Sequence, residues 1–134
     1  MKKKIILFLF IALILNGIWE FLHYKLYNDL SSITGTPHLL IASLTDALWL
    51  FLIYLSISFI NRNLNWINKP VKKDYFLFIL EALILAILIE IINLELGRWS
   101  YKETMPAIFG IGLSPMLQLA VTGTLALWII KQKS

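Results

Sequence analysis

The stretch YFLFILEALILAILIEIINLEL, residues 75–96, decides how this chain folds. A helix needs about 20 mostly apolar residues to cross the ~30 Å hydrocarbon core of a bilayer, and this stretch supplies them while carrying Glu81, Glu90 and Glu95. The same length recurs three times, at Ile5–Tyr24, Leu39–Ile60 and Ala107–Ile130. The connectors Lys25–His38, Asn61–Asp74 and Gly97–Pro106 hold the Gly, Pro, Asn, Asp and Ser that punctuate helices, and none is long enough for a soluble domain.

Composition agrees. Of 134 residues, 59% are hydrophobic and 15% charged, where soluble domains run near 45–50% and about 25%. With a mean hydropathy of +0.77, a soluble globular fold, a disordered chain and a disulfide-stapled module are all excluded. The absence of cysteine removes thiolate metal sites, redox dithiols and Cys nucleophiles. The expected fold is all-α: an integral membrane bundle of four antiparallel transmembrane helices forming a single domain.

Lys and Arg set the expected orientation, because short basic loops stay cytoplasmic. Nine lie in the N-terminal tail, the middle connector and the C-terminal tail: Lys2, Lys3, Lys4, Arg62, Lys69, Lys72, Lys73, Lys131 and Lys133. Only Lys25, Arg98 and Lys102 lie in the other two connectors. Both termini are therefore expected in the cytoplasm and the protein in the cytoplasmic membrane. The net charge of +4 is a topology signal and gives no reason to expect a nucleic-acid partner. The start resembles a secretory signal, but it runs on through Asn16, Trp19, Glu20 and His23 without a small-x-small cleavage site, so it is read as a retained first span. Gly110, Gly112, Ser114, Thr122 and Gly123 in the fourth span are small enough for helices to approach closely.

Ionisable groups inside a membrane cost about 2.5–3.5 kcal/mol each on insertion scales, so each needs a partner, a cavity or a task. At ~1.5 Å per residue, Glu20 falls about 6 Å below the outer end of its span, and Asp46 and Glu90 about 10 Å below theirs. Glu95 shares that half; Glu81 alone lies in the inner one. Residues at i, i+3, i+4 and i+7 share a helix face, which groups Asn16, Glu20 and His23; His38, Ala42, Asp46 and Trp49; Glu90, Asn93 and Gly97; and Gly110, Ser114 and Gln118. Pro115, read as lying within the fourth helix, would free the carbonyl of Ile111, a defect that needs protein or water to satisfy it. These stripes are expected to converge on a hydrated pocket open to the non-cytoplasmic side.

Within that pocket Asp46, Glu90, Glu20 and His23 are the catalytic candidates, and Asn16, Arg98, Ser114, Gln118, Trp49 and Trp99 the ligand-binding ones. Glu20-Phe-Leu-His23 has the Glu-x-x-His spacing of di-metal carboxylate bundles, although it occurs once. Glu20, His23, His38 and Asp46, with Glu90, offer ligands for a divalent metal. Otherwise the histidines bond water or lipid at the headgroup level. Asp46 shares its helix with no basic residue; it is either a proton donor or a neutral tie to Asn16, Ser43 or Gln118. Glu95 and Arg98 read either as an i,i+3 ion pair or as leaving Arg98 free for an anionic headgroup. Trp19, Tyr24, Trp99 and Tyr101 read as an aromatic belt. Glu81 has no partner in its own helix; Thr122, Thr124 or a proton path remain open for it.

The segment Glu90 to Gln118 contains Gly97-Arg-Trp-Ser-Tyr101, Met105-Pro106, Gly110-Ile-Gly112 and Ser114-Pro115-Met-Leu-Gln118. It resembles a segment of small four-span bacterial membrane proteins of unassigned function, which also tend to show a Trp-Glu in the first helix and an Asp in the second, here Trp19-Glu20 and Asp46. More distantly, its Trp-x-Tyr loop leading into a Gly- and Pro-containing helix is similar to the membrane-embedded lycopene cyclase and carotenoid hydratase families, over about a fifth of the chain. Where the cyclases carry acids just after the proline, this chain has Met116, Leu117 and Gln118.

Three functions follow as expectations. The first is acid–base chemistry on, or binding of, a membrane lipid or isoprenoid, with no cofactor because no nucleotide-binding motif is present. The second is a small proton- or cation-coupled transporter or channel, expected as a homo-oligomer because four short helices barely enclose a path, whose route must reach Glu81. The third is a non-catalytic membrane partner subunit docking through a lipid-facing Gly110–Gly123 stripe.

Overall fold

A computed structural model describes residues 2–28 and 36–133, apart from the side chains of residues 36–38. Four helices carry the fold: α1 (Lys2–His23), α2 (Thr36–Asn61), α3 (Lys72–Glu95) and α4 (Leu113–Gln132). All four are long and apolar enough to span a membrane. Large apolar side chains face outward along them, among them Ile6, Leu22, Phe59, Phe76 and Trp128, which is the surface lipid requires and water would penalise.

The core follows the helix period. Phe8 and Ala12 of α1, Leu50, Ile53 and Ile57 of α2, Phe78, Ala82 and Ala86 of α3, and Ala126, Leu127 and Ile130 of α4 form one buried cluster. The Phe8 and Phe78 rings meet edge to face at 6.1 Å. A Cβ on Gly123 would collide with the Phe78 ring and come within 2.8 Å of Leu50 Cδ2. Gly123 is thus an internal contact of α4 with α2 and α3 and is not available to a lipid-facing stripe.

Two small strand pairs depart from the all-helical expectation. Strand β1 (Tyr27–Asn28) pairs antiparallel with β2 (Ser100–Tyr101), joining the chain after α1 to the chain after α3. Strand β3 (Ala107–Ile108) pairs with β4 (Ile111–Gly112) as a hairpin. Its two-residue loop, Phe109 and Gly110, has φ of 52° and 78°, the two positive values a type I′ turn demands. The fourth helix therefore begins at Leu113, six residues later than Ala107, because Gly110 and Gly112 favour turn and cap over helix. Pro115 falls in the first turn of α4, where amides lack intrahelical acceptors anyway. The carbonyl of Ile111 is consequently not freed by a break within a helix.

At the other connector, Asp74 accepts the Val71 N–H at 2.9 Å and the Asn61 amide at 2.7 Å, which starts α3; Val71 itself has no polar side chain to return the cap. Helix α3 ends in a Schellman turn: Gly97 at φ 67° bonds its N–H to Leu94 O and that of Arg98 reaches Asn93 O.

Candidate functional site

All four helices contribute to one cavity of about 360 Å³. Its walls include Glu20 and His23 from α1, Ala42, Asp46 and Trp49 from α2, Glu90 from α3, and Pro115, Gln118 and Leu119 from α4. Tyr27, Arg98 and Trp99 close it from the connectors.

Gln118 is the hub. Its Nε2 lies 3.1 Å from Asn16 Oδ1, 3.0 Å from Glu20 Oε1 and 2.8 Å from Asp46 Oδ2. An amide nitrogen has two hydrogens for these three oxygens, so one acceptor must be served otherwise. Asn16 is fully buried; its own N–H₂ returns to Ala12 O at 2.8 Å, while its oxygen lies 3.1 Å from the Thr122 hydroxyl, whose one hydrogen has Gln118 O at 2.8 Å as its nearer acceptor. Each of these contacts except the local ones to Ala12 O and Gln118 O crosses between helices.

On the far side of Glu20, His23 Nε2 lies 3.2 Å from Glu20 Oε2 and His23 Nδ1 lies 2.9 Å from Ser114 Oγ. Trp19 Nε1 donates to the same Ser114 oxygen at 3.0 Å. Across the cavity, buried Glu90 accepts a hydrogen bond from Trp99 Nε1 at 3.2 Å and another from the Tyr101 hydroxyl. Tyr27 packs edge-on against His23 at 5.4 Å and against Trp99 at 6.1 Å. Burial first, and then the charge of Glu90, pushes the Tyr27 phenol above its ordinary value. Burial and the hydrogen bond to Glu90 raise Tyr101 likewise, so both phenols remain donors throughout the neutral range.

Several residues sit differently from expectation. Arg98 does not pair with Glu95; the Schellman turn takes it off the helix, and its Nη1 reaches Asn93 Oδ1 at 3.3 Å while also bordering the cavity. Of the residues read as an aromatic belt, Trp19 bonds Ser114, Trp99 and Tyr101 bond Glu90, and Tyr24 is exposed. Ser43 bonds Leu39 O in its own helix and leaves Asp46 to Gln118. Glu81 takes the Ser56 hydroxyl at 3.1 Å, whereas the Thr122 hydroxyl lies between Gln118 O and Asn16 Oδ1. The His38 side chain lies outside the described residues. Among the described residues, no group of three His, Asp or Glu is placed to hold a metal ion.

Tyr27 was missing from the sequence-based candidates, although it stands four residues after His23 and so prolongs the stripe Asn16, Glu20 and His23. Tyr101 was assigned to the belt because nothing local shows that β1–β2 pairing turns it toward Glu90.

No protein-family model matches the chain, and neither a curated protein nor a solved structure matches it.

Proposed function

We propose that this chain is a multi-pass protein of the cytoplasmic membrane, an up-down bundle of antiparallel helices with both termini in the cytoplasm, whose pocket binds a lipid or isoprenoid and moves protons at it. The single observation that carries the reading is the convergence of carboxyls from three helices, Glu20, Asp46 and Glu90, on a cavity also walled by Ile41, Ala42, Ala86, Ile89 and Leu119. Acids so expensive to place in a membrane, set beside a hydrocarbon wall, suit a ligand with one polar and one apolar part.

In this reading Asp46, held in place by Gln118, is the general acid. Glu90, supplied with two donors, is the fixed negative charge that stabilises positive charge developing on the ligand. Trp49, Trp99 and Tyr27 offer ring faces to the same cation. Arg98, at the exposed edge, meets a polar end group. The Trp-x-Tyr loop behind the likeness to lycopene cyclases and carotenoid hydratases is the loop that brings Trp99 and Tyr101 to Glu90, which favours an isoprenoid among lipids. For an ion carrier the groove toward Glu81 is poorly suited: besides Trp49 it is lined by Leu52, Ile53, Ile84, Leu85 and Leu88, better company for a hydrocarbon tail than for a cation.

Native mass spectrometry with lipid and metal analysis tests this. The purified chain should retain a lipid or isoprenoid that Asp46→Asn and Glu90→Gln release while the helices stay folded. A stoichiometric metal, or neither ligand combined with cation flux in proteoliposomes, would replace this reading with a metal site or a transporter. A partner subunit would instead keep its cellular function in Asp46→Asn and Glu20→Gln.

A further inference from the structure

The proton chemistry above leaves Ser114 without a part. Its hydroxyl nevertheless ends an ordered chain: Ser114 Oγ to His23 Nδ1 at 2.9 Å, then His23 Nε2 to Glu20 Oε2 at 3.2 Å. One proton assignment satisfies every group in it. The Ser114 hydroxyl donates to Nδ1, the Nε2–H donates to the Glu20 carboxylate, and the Trp19 indole N–H donates to Ser114 Oγ. That is the order of nucleophile, base and orienting carboxylate found in acyl-transfer enzymes, here drawn from α1 and α4. The His23 and Glu20 side chains are 7% and 12% exposed, enough shelter for the pair to hold its orientation.

The backbone around Ser114 fits the same role. Ser114 is the second residue of α4, one residue removed from the end of β4, at a strand-to-helix junction that presents a side chain at the head of a helix. In the first turn of α4, the Leu113 N–H is taken by Pro106 O at 2.7 Å and Pro115 has none. The N–H of Ser114 itself is left next to its own hydroxyl, where helix geometry gives it no intrahelical acceptor. With the Trp19 N–H, it makes two donors beside the oxygen that would attack.

We propose that Ser114 is a nucleophile that takes an acyl group from an ester-linked lipid, making the chain an acyl-ester hydrolase. This rests on the lipid-binding reading of the cavity: Ser114 is not itself one of the wall residues, but its bonding partner His23 and the next residue, Pro115, are. Ser114 Oγ bonds to the ester carbonyl carbon as its proton passes to His23 Nδ1. The carbonyl oxygen becomes an oxyanion facing the Ser114 and Trp19 N–H groups. Collapse breaks the ester C–O bond, and His23 returns the proton to the departing alcohol. Water then attacks the acyl-serine, giving one proton to His23 and thence to Ser114 Oγ, and the fatty acid leaves. No oxidant, reductant or cofactor enters the balance.

The test uses the purified full-length chain in lipid nanodiscs with a long-chain alkyl fluorophosphonate. One adduct per chain is expected, mapping to Ser114, absent in Ser114→Ala and formed about a hundredfold more slowly in His23→Gln. Because the chain has no cysteine, Ser114→Cys introduces a single thiol. Iodoacetamide at neutral pH should alkylate it about tenfold faster than the thiol of Ser100→Cys on exposed β2, and His23→Gln should cancel the difference. A folded wild-type chain that takes no fluorophosphonate, or a Ser114→Cys thiol no faster than the control, reduces the hydroxyl to a clasp between α1 and α4 and overturns the proposal. Bound lipid with an unreactive Ser114 overturns this proposal alone and leaves the pocket reading standing. A reactive Ser114 in a chain holding no lipid does the reverse.

Discussion

The two ends of the helical bundle are held together by different physics. Where α1 and α3 begin, the helices meet mainly through apolar packing: Phe8 meets Phe78, and Leu50, Ile57, Leu127 and Ile130 fill the space, while hydrogen bonds such as Trp66 to Ser58 and Asn61 to Asp74 tie the connector beside them. Where α1 and α3 end, the helices meet through side-chain hydrogen bonds centred on Gln118, Ser114 and Glu90. Apolar packing tolerates many partners of similar volume, whereas each polar contact needs a named complement at a named depth. A membrane sharpens the difference, since lipid is as apolar as leucine and only shape or hydrogen bonding distinguishes a neighbouring helix from solvent.

The largest expected effect is at the apolar end. Gly123→Leu would drive a side chain into Phe78 and Leu50, and should cost at least about 3 kcal/mol or prevent folding, read as loss of the thermal transition in detergent. Phe8→Ala, which empties a fully buried ring site, should cost about 3 kcal/mol in the same assay without changing ligand retention. At the polar end the order of effects reverses. Gln118→Ala should cost about 1–3 kcal/mol yet abolish ligand retention, because it removes the donor shared by Asn16, Glu20 and Asp46. If Phe8→Ala released the ligand as readily as Gln118→Ala, the two ends would not be separable and the comparison would fail.

The smallest effect is read by alkaline titration. Phenols whose folded pKa is raised stabilise the fold fully below their unfolded value, and that stability drains away as pH rises above it toward the folded value. Tyr27 and Tyr101 should therefore add nothing to the tyrosinate absorbance that develops up to about pH 11, and stability should begin to fall above about pH 10. Tyr101→Phe should leave that absorbance unchanged while shrinking the stability loss. A reduced amplitude in Tyr101→Phe would mean that this phenol is not held by Glu90.

Within one helix, the stripes were readable. Asn16, Glu20 and His23, and likewise Ala42, Asp46 and Trp49, share a face because the 3.6-residue period is local, and the structure turns Glu20, His23, Ala42, Asp46 and Trp49 to the same cavity. The start of the fourth helix was not readable. An apolar run beginning at Ala107 satisfies a hydropathy window equally well as a helix or as a hairpin, and only the positive φ angles of Phe109 and Gly110 separate the two. Of the two readings open for Arg98, the ion pair with Glu95 is not the one the fold adopts, because spacing along a helix loses its meaning once Gly97 has ended it.

Sequence alone determined four apolar helices of membrane-crossing length, and it determined which face of each carries the polar groups, because both properties depend on residues a few positions apart. Tertiary structure decided which of those groups meet. That Gln118 reaches Asp46, that Ser114 reaches His23 and that Tyr101 reaches Glu90 depends on the rotation and depth of whole helices and on the β1–β2 pairing. Those are set by contacts such as Gly123 against Phe78, which join helices that are distant in the chain.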